Sequence, residues 1–239
     1  MTSGSCDDGP VVNSSGIRLP VVRALVDELD AAASLLKTAV EMLGRYQSAA
    51  HDADPLLACL SIGVEKTTKL TLGMAGIQDS GCWPDKTTMK DSWGHRVVLL
   101  DRKCREHMAS HADQSSVAPL IRRMLDEVAQ DRVLAAMLET LDRYGTQGRF
   151  HNLDALAESP QAKPSPRELW TTTDNLVWKS DPTLLATMGG PGYAQSRTRV
   201  NEIICASITR WQELYFRAWT TGVLGADARQ WSTYLVPRS

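Results

Sequence analysis

Apolar residues in this chain recur at spacings of three, four and seven in one segment after another, and nowhere in sustained alternation. From Pro20 to Gln47 the recurring set is Val22, Leu25, Leu29, Leu36, Val40 and Leu43. From Ala194 to Thr221 it is Val200, Ile204, Ile208, Trp211, Tyr215, Ala218 and Trp219. Such spacing puts the apolar groups on one face of a helix, whereas a half-buried strand needs a period of two. β-branched runs bounded by regular turn signals are missing, and there are only two phenylalanines to build a sandwich core. The pattern predicts an all-α fold, a multi-helix bundle with long antiparallel helices.

Punctuation between the periodic segments sets the expected layout. Asp54-Pro55 reads as a helix start, with Asp as cap and Pro in the first turn, and Gly73 or Gly76 as the end of that helix. Residues 78–88, with Gly81 and Pro84, read as a loop in which Cys82 and Trp83 dock on the bundle. A polar helix is expected over 89–112. Another spans 116–144, restarting at Asp131 and stopped by Gly145 and Gly148. Pro160, Pro164 and Pro166 mark a linker, and Ser165-Pro166-Arg167-Glu168 has the form of a capping box. The predicted organisation is a tail at 1–18, a helical bundle at 19–150, a linker at 151–166, and a Trp-rich helical extension at 167–234 that packs on the bundle. Leu235 to Ser239 resemble an incomplete thrombin cleavage site and are set aside as a cloning remnant.

Composition narrows the function classes. A formal net charge of -2 over 239 residues excludes a strongly basic nucleic-acid coat and an acidic solvating tail. No apolar run approaches the length of a membrane span. Five scattered cysteines without a C-x-x-C argue against a disulfide framework and fit a reducing, cytoplasmic setting. Gly189-Gly190-Pro191-Gly192 is a helix-breaking turn rather than a P-loop, because no G-K-[ST] follows it. No cofactor is expected.

Three of the five histidines, His95, His107 and His111, fall in the third helical segment. Cys104, His107 and His111 stand at i, i+3 and i+7 and share a face, which suits zinc. Structural zinc sites usually draw ligands from two elements, so a polar helix face with no metal is the favoured reading. Arg102-x4-His107 offers a different chemistry. A guanidinium steadying a phosphodiester beside an acid–base imidazole supports attack by an RNA 2′-hydroxyl without a metal. Arg45…His51 and Arg105…His111 fit the same loose spacing, so the spacing alone selects none of the three.

Context favours Arg102 and His107. The run Ser61-Ile62-Gly63-Val64-Glu65-Lys66-Thr67-Thr68-Lys69-Leu70, followed by Gly94-His95-Arg96-Val97-Val98-Leu99-Leu100, resembles the HEPN superfamily and its AbiV-like members over roughly residues 20–150. Those helical proteins show an E-x-x-x-K helix, a G-H start to the next helix, and an R-x4–6-H motif. The resemblance implies a metal-independent endoribonuclease, or an RNA- or nucleotide-binding protein, of a toxin or phage-defence system. It also implies a homodimer with the motif at its interface. In that reading Arg102 and His107 form the catalytic pair, Glu65 is a supporting acid, and Lys69, His95 and Lys103 are binding residues beside them. Lys103 departs from the Asn, Asp or His that usually follows the motif arginine, a departure that bears on activity more than on fold. The structural alternative makes Glu65 and Lys69 a surface ion pair and His95 a helix-start residue satisfied by a carbonyl.

Arg143, Arg149 and His151 surround a glycine-containing turn. They form a second candidate anion site, or else cap the preceding helix. Tryptophans 170, 178, 211, 219 and 231 crowd the last third, as core or as a stacking surface for bases. The competing function is a non-catalytic helical scaffold that dimerises or binds a protein partner, with no role at a membrane.

Overall fold

Leu25, Leu29, Leu36 and Leu43, with Ala32 and Ala39 between them, are all 4% exposed or less, and this stripe lays the first helix along the second. The computed structural model describes residues 19–237, so the predicted tail at 1–18 lies outside the described residues, as do residues 238 and 239. Ten α-helices follow in order: α1 (Leu19–Gly44), α2 (Ala49–Ser80), α3 (Val97–Ser110), α4 (Ala118–Gln130), α5 (Arg132–Thr146), α6 (His151–Leu156), α7 (Pro166–Ser180), α8 (Pro182–Ala186), α9 (Tyr193–Thr220) and α10 (Gly225–Trp231). Among the described residues there is no strand, and no helix is long and apolar enough to cross a membrane. The fold is an all-α bundle.

Several boundaries differ from those the sequence suggested, each for a local reason. α2 starts at Ala49, one turn and a half before Asp54-Pro55. Ser48 is the N-cap residue, and Asp52 inside the helix braces this end, its Oδ2 accepting from the Gln47 and Ser48 amides at 2.8 and 2.9 Å, while Pro55 is carried inside the helix. Gly73 and Gly76 do not end α2, which runs on to Ser80 and is capped by Gly81. They are packing glycines instead. A Cβ on Gly73 would lie 2.2 Å from the Trp83 indole, so the bare backbone is what lets the 81–87 loop fold onto the helix. The expected helix over 89–112 is split into a π-helical turn, Thr88–Trp93, and α3, with His95 and Arg96 in the bend between them. Asp131 does separate two helices: its side chain accepts from the Leu134 amide at 2.9 Å and caps α5. The capping box at Ser165 and Glu168 is complete.

α9 runs through the middle of the molecule and touches α1, α4, α5 and α7. One continuous core contains residues of every long helix. Trp170, Trp178, Trp211 and Trp219 are at most 1% exposed, which makes them core and removes them as a stacking surface. Two of the four indoles have their polar edges matched, Trp211 donating to Asp101 at 2.8 Å and Trp219 to Thr71 at 2.9 Å, whereas Trp170 Nε1 is buried without a hydrogen-bond partner among the described residues. Arg197, also buried, makes a two-bond fork to Asp174 at 2.7 Å and donates to Asn201, joining α9 to α7. Leu235, set aside on sequence grounds, lies against this core at 8% exposure. Cys82 is disulfide-bonded, against the expectation from cysteine spacing, while Cys59, Cys104 and Cys205 are free thiols. Spacing along the chain does not reveal which loops meet.

Candidate functional site

Glu65 and Lys69 are one helical turn apart on α2, and Lys69 Nζ donates to Glu65 Oε1 at 2.8 Å. That contact is what an i,i+4 pair gives by itself. The third member comes from 30 residues away. His95 Nδ1 lies 3.0 and 3.1 Å from the two oxygens of the same carboxylate. Two backbone features bring it there. Gly94 turns the chain at φ +56°, and Gly145 of α5 lets the His95 backbone close in, since a Cβ at 145 would stand 3.1 Å from the His95 carbonyl. Ser61 of α2 fastens the same junction by donating to the Leu141 carbonyl at 3.2 Å.

The chemistry of this trio follows from who can donate. A carboxylate only accepts, so His95 Nδ1 carries the hydrogen that joins the two. Glu65 is largely sheltered, at 16% side-chain exposure, while His95 is 52% exposed. A half-buried carboxylate therefore holds an exposed imidazole, a pairing that serves acid–base work.

His95 forms one wall of an open cleft of about 610 Å³, within the size range of small-molecule sites, shared with Arg96, Glu139, Asp142, Thr146 and Lys163. Asp142 has a structural task there. Its Oδ1 accepts from the Val98 amide at 3.0 Å, capping α3 from a neighbouring helix, and burial pushes its carboxyl above the usual range. Arg96 turns back to the carbonyls that end the π-helical turn, donating to those of Asp91, Ser92 and Trp93. Arg143, in the floor, donates to the Pro164 and Lys163 carbonyls and to Gln161, and so ties the linker to α5. Its guanidinium is committed to the protein.

The motif pair sits on α3 and is not brought together within the chain. Five residues on a helix correspond to about 140° of rotation. Arg102, 62% exposed, reaches toward Glu106 at 3.9 Å, and Lys103 beside it is exposed. His107 turns inward toward the end of α2, where its Nε2 lies 3.0 Å from Gln78 Oε1, and burial lowers its pKa. Arg149 stacks on Phe150 at 5.0 Å, and with His151 lines a separate cleft of about 290 Å³ that also holds Asp54, Tyr144 and Arg167. Cys104 is fully buried with its thiol on the Thr68 carbonyl, turned away from His107 and His111. In its place the carboxylate of Asp79 approaches both imidazoles, at 3.6 and 3.5 Å. Asp79, Gln78 and Asp142 are the residues sequence reasoning missed. None belongs to a motif, and each meets its partners only through tertiary packing.

Comparison of the chain with protein-family models, with curated proteins and with solved structures finds no match in any of the three.

Proposed function

We propose that the chain is a HEPN-type helical protein that binds RNA or a nucleotide in the cleft beside Glu65, Lys69 and His95. One observation carries the reading: the E-x-x-x-K and G-H elements, 30 residues apart, meet in a single hydrogen-bonded cluster, with His95 lining a cleft that Lys163 also lines. Phosphate oxygens are the natural acceptors for a lysine at such a rim, and an imidazole beside them supplies a further donor or a base. Arg102 and His107, about 140° apart on one rod, reach a common phosphodiester only if a second chain supplies one of them. For that reason the binding reading stands ahead of a nuclease built on this pair.

The test is a titration of labelled single-stranded RNA and of a nucleotide against the full chain in EDTA. Wild type is expected to bind, His95→Ala to weaken binding about tenfold, and Lys163→Ala to reduce the salt slope by about 1. Unchanged binding in both variants contradicts the proposal. RNA cleavage in EDTA that is lost in Arg102→Ala and His107→Ala alone would favour the dimeric nuclease. A partner-binding scaffold is the second reading, supported by an apolar groove that Val21, Leu25, Trp83 and Met89 line between α1 and α2. It gains if no RNA or nucleotide binds and the chain self-associates in light scattering.

A further inference from the structure

Where α2 ends beside α3, three side chains aim a ligand atom each at one point: Asp79, His107 and His111. Their donor atoms all lie within 4.8 Å of one another. His107 and His111 are i,i+4 on α3 and stack at 4.0 Å between ring centroids, so both imidazoles face the end of α2. Asp79 Oδ2 is 3.6 Å from His107 Nδ1, and Asp79 Oδ1 is 3.5 Å from His111 Nε2.

The partners of the other ring nitrogens fix the tautomers. His111 Nδ1 lies 3.0 Å from the His107 carbonyl, which only accepts, and 2.9 Å from Ser110 Oγ, whose own hydrogen goes to that same carbonyl; in the neutral ring this puts the hydrogen on Nδ1 and leaves Nε2 to present a lone pair to Asp79. Gln78 donates its amide nitrogen to Gln114 at 2.8 Å, which leaves Gln78 Oε1 facing His107 Nε2 at 3.0 Å. That nitrogen carries the hydrogen in turn, and His107 Nδ1 presents its lone pair to Asp79. With both rings neutral, two imidazole lone pairs and a carboxylate thus converge on one point, an arrangement of three acceptors that a proton or a metal cation among them relieves.

The spacing is within reach of a transition-metal site: the three ligand atoms lie within 4.8 Å of one another, and the two Asp79 separations run one to each carboxylate oxygen. Tetrahedral ligands at zinc bond lengths of about 2.0–2.1 Å stand about 3.3 Å apart, close to the two measured separations. Each histidine also hands its second nitrogen to a carbonyl oxygen, the outer partner that metal-bound imidazoles almost always have. The ligands come from two helices, and three protein ligands with room for a water is the open zinc pattern. We propose that Asp79, His107 and His111 bind one divalent transition-metal ion of the zinc class, with water as the fourth ligand on the exposed Asp79 side. The ion clamps the C-terminal end of α2 to that of α3. Neither the nucleotide reading nor the cleft at His95 is needed for this site.

The test uses the full chain free of any polyhistidine tag, stripped with a chelator and titrated with Zn²⁺ against a chromophoric competitor. Co²⁺ serves as the spectroscopic probe. One equivalent is expected to bind, Co²⁺ to show the intense visible bands of tetrahedral coordination, and Zn²⁺ to raise the melting temperature. Asp79→Ala and His111→Ala, both at accessible positions, are expected to bind far more weakly and to lose the thermal shift. Gln78→Ala should weaken binding by about 10–100-fold through the outer partner. Cys104→Ser should leave it unchanged. Failure of folded wild type to bind Zn²⁺, an octahedral Co²⁺ spectrum, or binding that survives Asp79→Ala and His111→Ala would each overturn the site.

Discussion

Asp101 is fully buried in the apolar core, yet every lone pair that matters is used: Trp211 and Tyr215 donate to Oδ1 at 2.8 and 2.9 Å, and Arg105 donates to Oδ2. An ionised carboxylate in such surroundings is tolerable only because it is paired and saturated. Burial, with Asp101 beside it, also holds the Tyr215 hydroxyl in its neutral, donating form by pushing its pKa well up. Removing the carboxylate strands three donors. Asp101→Ala is expected to cost about 3–5 kcal/mol in denaturant unfolding. Arg102→Ala, at the next position but exposed, should stay within about 0.5 kcal/mol. Equal losses at the two positions would contradict this burial pattern. The capping box at Ser165 was legible in the sequence because its partners are three residues apart. Asp101 was legible only in its i,i+4 pairing with Arg105; Trp211 and Tyr215 lie more than 100 residues away and no spacing rule links them to it. The site divides the same way. Glu65 with Lys69 is readable from one helix, whereas the arrival of His95 depends on how α5 packs.

At the level of elements, helix periodicity placed the long helices, and caps placed their ends less well. Asp54-Pro55 looks like a start by residue type, but Asp52 is the residue whose carboxylate reaches the free amides of Gln47 and Ser48. Those amides hold the Asp52 carboxyl below its ordinary range. A depressed folded-state pKa contributes stability that is complete above the unfolded value near 3.9 and fades as pH falls through the folded one. Asp52→Ala should therefore cost about 1 kcal/mol at pH 7, with the gap from wild type closing below about pH 3.9. A gap that stays constant down to pH 2 would show that the Asp52 carboxylate is not what stabilises the start of α2. Gly73 makes a second element-level case. Glycine inside a helical pattern reads as a terminus, but here it is the seat of Trp83. Gly73→Ala should lose about 1–3 kcal/mol by overpacking, and Gly73→Ala combined with Trp83→Ala should lose less than the two single changes added together. Strict additivity would argue that the two do not touch.

Over the whole molecule, the Trp-rich segment at 167–234, expected to pack on the bundle, contributes its tryptophans to the same core as α1 and α2. α9 crosses α1, α4, α5 and α7, and Trp219 and Trp211 reach Thr71 of α2 and Asp101 of α3. The sequence marks residues 151–166 by their prolines, and α6 occupies His151–Leu156 of that stretch. The sequence did not show that Arg143 would bind that segment to α5, because a guanidinium's partners are set by the fold. Shared burial of this kind predicts one cooperative unfolding transition, and a fragment ending at residue 150 that does not hold a native core. Two separated calorimetric peaks would contradict it. The functional account rests on the cleft that this packing creates between the His95 bend, α5 and the linker. Amide hydrogen exchange with and without saturating single-stranded RNA, in EDTA, tests it most directly. The account predicts slowed exchange in residues 94–100, 139–147 and 161–165. Protection confined to the exposed face of α3 that carries Arg102 and Lys103, with no change around the cleft, would contradict it.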